Sequence, residues 1–305
     1  MNTHGEFRTA VVPAAGLGTR FLPVTKSVPK ELLPVMATPA IEIVAAEAAD
    51  AGAERLITVT SPEKEAVAAH FSRDHDLEKL LEARGKDAAA ESIRRAPQLL
   101  RVENAVQQEP LGLGHAVACV EPHLTERDTA VAVLLPDDLV LPAGVLTRMS
   151  AVRRRHGGTV LCAFEAARED LSAYGVFDVT DTDEPGVKRV RAMVEKPDPR
   201  DAPSTLACAG RYLLDREVFG PLREIGPGPR GEIDLTDAIS VLIDRGHPVH
   251  VVLHTGVRHD IGTPGGMLRA TLDAALRDPA RGPALRSWLR DRVDADAEED
   301  TLAVG

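Results

Sequence analysis

The sequence predicts an α/β fold: a Rossmann-like, doubly wound, mostly parallel sheet with a mixed-sheet subregion. Three observations predict it. Short apolar runs rich in Val recur and stop at turns, as strands buried on both faces of a parallel sheet do. Ala-rich and charged stretches with helical spacing separate them, the alternation of a layered α/β domain. From about Ala173 to Leu214 the pattern changes to shorter β-like pieces broken by Asp, Pro and Gly.

In chain order, Thr9 to Ala14 is the first strand, ending at a Gly-containing turn. Arg55 to Thr60, Ala130 to Leu135 and Thr159 to Ala163 repeat it, with helices at Ala40 to Ala51 and Glu63 to Phe71 among the intervening stretches. Val176 to Thr180, Val187 to Glu195 and Ala207 to Leu213 form the mixed subregion, expected to cover one side of a cleft. A helix follows at Leu235 to Arg245, a strand at Val249 to His254 and a helix from about Pro264 to Arg277. Arg281 to Gly305 reads as a helix around Trp288 and then an acidic tail, Asp294 to Asp300, expected to fray. Trp288 reads as core packing in preference to a subunit contact. In such sheets ligands sit at the carboxyl ends of the strands, so chemistry is sought just after each one.

The chain of 305 residues carries a formal net charge of -11, so it repels polyanions, and neither nucleic acid nor an anionic membrane is an expected partner. Any phosphate it binds must meet a local cluster of donors. Cys119, Cys162 and Cys208 are odd in number, far apart and without CxxC spacing, which argues against a disulfide framework or a thiolate zinc site. The 10 histidines include no HExxH, against zinc hydrolysis. Met1 to Arg8 is polar and reads as neither a signal peptide nor a spanning helix, so the expected compartment is the cytoplasm.

After the first strand comes Ala15-Gly16-Leu17-Gly18-Thr19-Arg20, followed by Pro23, Lys26, Pro29, Lys30 and Glu31. Glycines let backbone N–H groups approach a polyphosphate, and a guanidinium with an ammonium can neutralise charge during phosphoryl transfer. A P-loop needs Gly-Lys-Ser/Thr where Gly18-Thr19-Arg20 stands. A dinucleotide fingerprint needs a third small residue in place of Phe21 and a helix directly after, which Pro23 and Pro29 disfavour.

The run PAAGLGTRFLPVTKSVPKELLPV from Pro13 to Val35 resembles the signature of the sugar-1-phosphate nucleotidyltransferases, and in detail that of the bacterial UTP:glucose-1-phosphate uridylyltransferases. The similarity continues through GLGHAV at Gly112 to Val117, LPDD at Leu135 to Asp138, AYGVF at Ala173 to Phe177, VEKP at Val194 to Pro197, AGRYLL at Ala209 to Leu214 and LTDAI at Leu235 to Ile239. These motifs stand in order over about residues 8 to 290. The resemblance implies a nucleotide-diphospho-sugar transferase type of fold over residues 1–265, with a nucleotide half at about 8–165 and a sugar half at about 166–262, and then C-terminal helices and the acidic tail at 266–305.

It further implies that Ala15, Gly16 and Gly18 shape the nucleotide pocket, that Arg20 and Lys30 bind the triphosphate and stabilise the transition state, and that Lys26 is a weaker candidate for the same work. Gln107 matches the base-reading glutamine, whose amide offers both a donor and an acceptor, and Gly112 lets the backbone touch the same base. Asp137, just after a strand, and Asp260, in HDIG, are the implied Mg²⁺ carboxylates, enough for an ion that takes its other ligands from phosphate and water. Asp138 reads as a strand-end or turn residue. Glu195 would hydrogen-bond sugar hydroxyls, Lys196 bind the sugar phosphate, and Gly175 press its backbone against the sugar.

The implied reaction is attack of glucose 1-phosphate on UTP, giving UDP-glucose and pyrophosphate, in an enzyme expected to be a homo-oligomer. Some positions depart from the pattern: Ala37-Thr38-Pro39 stands for Asp-Lys-Pro, Leu111 for a basic residue, Ser204-Thr205 for Ser-Asn and Asp234 for Gln. These keep other acceptors, such as another sugar or cyclitol phosphate, and another base, as in a dTTP-using thymidylyltransferase, open. So is a catalytically silent relative that binds a nucleotide sugar, although it could dispense with the metal carboxylates.

Overall fold

The computed structural model describes the backbone of residues 7–303 and the side chains of residues 7–293. The expectation for the polar N-terminus falls largely on residues 1–6, outside the described residues. The chain begins with β1 (Thr9–Pro13), a small ribbon of β2 (Pro34–Val35) and β3 (Thr38–Pro39), α1 (Ala40–Asp50) and β4 (Arg55–Thr60). Next come α2 (Glu65–His70), α3 (His75–Ala83), α4 (Asp87–Leu99), β5 (Arg101–Val106), α5 (Leu113–Ala118), β6 (Ala130–Leu134) and β7 (Asp138–Leu141). α6 (Val145–His156), β8 (Thr159–Glu165), β9 (Gly175–Asp181), β10 (Val187–Glu195) and β11 (Leu206–Asp215) follow. The last elements are α7 (Phe219–Glu224), α8 (Leu235–Asp244), β12 (Val249–Leu253), β13 (Val257–Asp260), α9 (Pro264–Arg277) and α10 (Gly282–Ala303).

One sheet runs β5-β4-β1-β6-β11-β8-β12-β10-β9. β5, β4, β1 and β6 are mutually parallel and β8 is parallel to β12, while β11 and β10 run against their neighbours. The strands of the mixed subregion therefore do not form a separate layer: β11 is inserted at the centre, between β6 and β8.

The Val-rich runs behave as their composition requires. Along β1, Ala10 and Val12 face Ile41, Val44 and Ala48 of α1 on one side of the sheet, and Val11 joins Val117 of α5 and Ile239 of α8 on the other. Each Val or Ile among them removed from water contributes about 1.5–3 kcal/mol, and the two-sided burial fixes the strand. Deep in the sheet Arg211 is 0% exposed; its Nε donates to both Glu47 oxygens at 3.1 Å and its Nη1 to the carbonyls of Gly210 and Leu135.

The C-terminus departs from the sequence reading in two ways. Trp288 is 59% exposed, so it is not core packing: α10 lies against α9 and offers no interior for it. The α10 backbone also continues helically through the acidic stretch expected to fray, whose side chains lie outside the described residues. Among the described residues no helix is long and apolar enough to cross a membrane.

Candidate active site

Beyond β1 the chain makes three short 3-10 turns, Thr19–Phe21, Val24–Lys26 and Lys30–Leu32, and no α-helix, as its prolines require. Thr25 Oγ1 donates to the carbonyl of Gly18 at 2.7 Å and closes the loop. An ammonium holds it from behind. Lys64 Nζ, from the turn after β4, donates to the carbonyls of Ala14 and Gly16 at 2.6 Å each and to Glu31 Oε2 at 2.9 Å. Burial lowers the Lys64 pKa and raises that of Glu31, each against the pull of the other charge.

Lys30 Nζ donates to Asp137 Oδ2 at 2.6 Å. Burial works against the Asp137 carboxylate, but Lys30, and beyond it Arg20, outweigh burial and hold its pKa below the usual range. Burial likewise opposes the Lys30 charge, and Asp137 outweighs it. Asp260 ends β13, which pairs antiparallel with β7, and the Ile261 N–H donates to the Asp137 carbonyl at 2.8 Å, so the two carboxylates are neighbours. Among the described residues no cluster of three or more His, Cys, Asp or Glu is placed to hold a metal. A pair of oxygen donors fits an ion that draws its remaining ligands from phosphate and water.

Asp138, which also lines the cleft with Arg258, is 4% exposed and accepts from Arg258 Nε at 2.9 Å. Burial pushes its pKa up in spite of Arg258 and Arg211. Arg258 also donates to the Tyr174 hydroxyl at 3.1 Å and stacks 4.4 Å from the Phe164 ring centre, tying β13 to the turn before Gly175. A Cβ at Gly175 would collide with Met193 Cε and come within 3.2 Å of Glu195 Oε2, so glycine keeps the strand close to the carboxylate. Thr236 Oγ1 donates to Glu195 Oε2 at 2.7 Å and fixes that carboxylate. Lys196 has φ 48, a left-handed backbone uncommon outside glycine, and its Nζ stands 3.5 Å from Glu195 Oε1.

Gln107 lies just past β5, 5% exposed, and its Nε2 donates to the carbonyl of Gly112 at 3.1 Å. Gly112, at φ 95, would set a Cβ 2.9 Å from Glu232 Cβ and 3.0 Å from the Ile233 carbonyl, so only glycine lets this turn meet the segment before α8. The meeting is hydrogen-bonded: the Ile233 N–H donates to Leu111 O at 2.7 Å and the Gly114 N–H to Ile233 O at 2.8 Å.

Arg20, Leu113, Asp137, Gly175, Glu195, Lys196 and Asp260 line one cleft of about 270 Å³. Lys30 backs this cleft through Asp137, and Ala15, Gly16 and Gly18 form the loop above Lys30, whose Cβ a Cβ on Gly18 would approach at 3.0 Å. Lys26 is exposed and outside the lining; Gln107, which is buried, and Gly112 also lie outside it, Gly112 next in sequence to the lining residue Leu113. Of the departures, Asp234 lines the cleft and accepts from Arg230 at 2.8 Å. Thr38 accepts from Arg95 at 3.3 Å and Thr205 donates to Glu165 at 3.3 Å, both outside the cleft lining.

Residues 9–276 match the family model described as nucleotidyl transferase. The chain belongs to the nucleotidyl transferase family. This nucleotidyl transferase is 38% identical over 295 residues to a UTP–glucose-1-phosphate uridylyltransferase, YngB, of Bacillus subtilis (strain 168), covering 96% of this chain and 98% of that protein. A UTP-bound UGPase from Acinetobacter baumannii superposes with a TM-score of 0.83 at 35% identity, over 93% of this chain and 98% of the other. A UDP-glucose pyrophosphorylase complexed with UDP-glucose gives 0.79 at 34% identity, over 88% and 98%. In this nucleotidyl transferase, sequence reasoning passed over Lys64, His115, Thr236 and Arg258, which act on backbone carbonyls or on other side chains. For Lys64 and Arg258 the available signal was position: one stands four residues past β4, the other two residues before Asp260.

Proposed function

We propose that this chain transfers a uridylyl group from UTP to glucose 1-phosphate, releasing pyrophosphate. The observation that carries the reading is the single cleft in which Arg20, Lys196, Asp137 and Asp260 converge, with Lys30 fixed against Asp137; the named activity of the relatives agrees with it. A phosphate oxygen of the sugar attacks the α-phosphorus in line, the bond to the β-phosphate oxygen breaks, and pyrophosphate carries away the electron pair. Arg20 and Lys30 bear on the triphosphate, with Lys26 as a lesser contributor at the loop's outer edge, and Lys196 holds the attacking phosphate. Glu195 accepts from sugar hydroxyls, while Gln107 and Gly112 read the base. Positioning and fixed charge do the work, without a protein nucleophile. Asp137 and Asp260 would hold Mg²⁺, which when bound neutralises phosphate charge.

The same reading divides the chain into a nucleotide half at about 8–165, a sugar half at about 166–262 and C-terminal helices. It sets the reaction in the cytoplasm, in keeping with the three free thiols. Exposed Leu268, Trp288 and Val293 on α9 and α10 support assembly into a homo-oligomer, which sedimentation of the parent and of Trp288→Ser tests.

Asp234, where the resemblance expects Gln, favours a second reading of the acceptor alone: its carboxylate and Arg230 alter the sugar side of the cleft. The test of both is pyrophosphate release with Mg²⁺ across UTP, dTTP, CTP, ATP and GTP, each against glucose, galactose, mannose and N-acetylglucosamine 1-phosphates. Turnover confined to UTP with glucose 1-phosphate, and abolished by EDTA, is expected. Turnover with UTP and a different sugar phosphate would establish the second reading; silence across the grid would end the glucose 1-phosphate reading and mark either an acceptor phosphate outside the grid or a protein that only binds.

A further inference from the structure

The amide of Gln107 has its orientation imposed from two sides. Its Nε2 faces the Gly112 carbonyl at 3.1 Å and His115 Nδ1 at 3.0 Å. A carbonyl oxygen has lone pairs only, so the atom opposite it must be the amide nitrogen. The second amide hydrogen then goes to His115 Nδ1, which must be the bare ring nitrogen. The ring proton sits on Nε2, 3.9 Å from Cys119 Sγ, a weak acceptor. Both amide hydrogens are spent inside the protein, and only Oε1 remains to meet a ligand. His115 cannot drift, because the neighbouring Gly114 donates to Ile233 O at 2.8 Å with no room for a Cβ between them.

We propose that His115 is a positioning residue that locks Gln107 as a hydrogen-bond acceptor, so that the site takes a base presenting an imino N–H, uracil or thymine, and rejects cytosine, whose ring nitrogen there carries a lone pair. The proposal rests on Gln107 being the base reader and adds what fixes its polarity. An acceptor facing a lone pair leaves a buried group unpaired, which corresponds to discrimination of about 10²-fold.

The test compares the parent with His115→Leu, similar in bulk without an acceptor, and His115→Asn, whose Oδ1 branches from Cγ as Nδ1 does. Steady-state pyrophosphate release with glucose 1-phosphate is measured with UTP and with CTP, and melting confirms folding; His115→Ala carries the same expectation should His115→Leu not fold. His115→Leu is expected to raise KM for UTP about 10-fold with kcat little changed and to cut the UTP over CTP preference about 10-fold, with His115→Asn restoring most of both. A folded His115→Leu with the parent's KM and preference, or a His115→Asn as impaired as His115→Leu, overturns the lock. Calorimetric titration with UTP and CTP separates this from failure of the proposed function. A parent that releases no pyrophosphate yet binds UTP over CTP in a His115-dependent way ends the transferase reading and keeps the lock.

Discussion

Lys30 Nζ lies 2.6 Å from Asp137 Oδ2, and neither charge is fully solvated, with side-chain exposures of 22% and 34%. Each holds the other ionised against burial, so the cleft has one preformed cation and one preformed anion at its base. Asp137→Asn is expected to cut kcat by about 10²-fold or more, and Lys30→Met by about 10²- to 10³-fold, as loss of a fixed transition-state charge does. Both are read as pyrophosphate release at saturating substrates. Turnover within about threefold of the parent in either variant sinks the catalytic assignment of that residue.

Strands buried on both faces are among those the sequence exposes, as is β10, whose Val187 to Glu195 is read in full although much of it is exposed. β1, β4, β6 and β8 are apolar runs whose composition alone excludes water, and their ends fall within about two residues of expectation. β5 was not legible, because only Ala105 is buried, with Val102 and Glu103 half-buried, while Arg101, Asn104 and Val106 stay in solvent at the sheet edge. The β7 and β13 pair was missed as well: four residues each carry too little periodicity, and their partners lie more than a hundred residues apart. In the site, residues that would touch a ligand announce themselves by type and by position after a strand. Lys64 follows a strand and Arg258 stands near Asp260, yet their contacts with Glu31 and Asp138 are created only by the fold.

The Lys64 ammonium joins two carbonyls of the glycine loop to the carboxylate of Glu31, which is 2% exposed. Lys64→Met frees the loop and strands a buried carboxylate, a change worth about 3–5 kcal/mol. Denaturant unfolding should show that loss, and KM for UTP should rise about 10-fold as the loop loosens. Lys64→Met with Glu31→Gln should recover much of the stability and little of the KM. Recovery of both together would mean that the ammonium serves stability alone.

The Arg211 and Glu47 pair ties β11 to α1 through the sheet and, by way of the Leu135 carbonyl, steadies the turn that carries Asp137. Glu47→Ala leaves a guanidinium uncompensated in the core and should cost about 3–5 kcal/mol. Replacing both by Leu should be markedly milder, because neither charge is then left alone. Urea midpoints of the parent and the two variants decide this. A double variant as unstable as Glu47→Ala would show that shape, and not charge, is what the pair contributes.

His250 on β12 is 5% exposed, and its Nδ1 has no hydrogen-bond partner among the described residues. Burial, and then the charges of His156 and Arg189, push its pKa down to about 4 from 6.5, with Glu184 acting weakly the other way. Between those values the unfolded chain takes up a proton that the folded chain refuses. Stability therefore falls as pH drops from about 6.5 towards about 4, and the full effect, up to about 3 kcal/mol, is present below that range. His250→Val suits a buried strand and removes the titration. The difference in unfolding free energy between parent and variant, measured every half unit of pH, should grow in the variant's favour across this window and level off beneath it. The charge of His156 contributes to the lowering at His250, so His156→Gln should diminish the slope without abolishing it. Parallel curves for parent and His250→Val would mean that the folded protein accommodates the imidazolium.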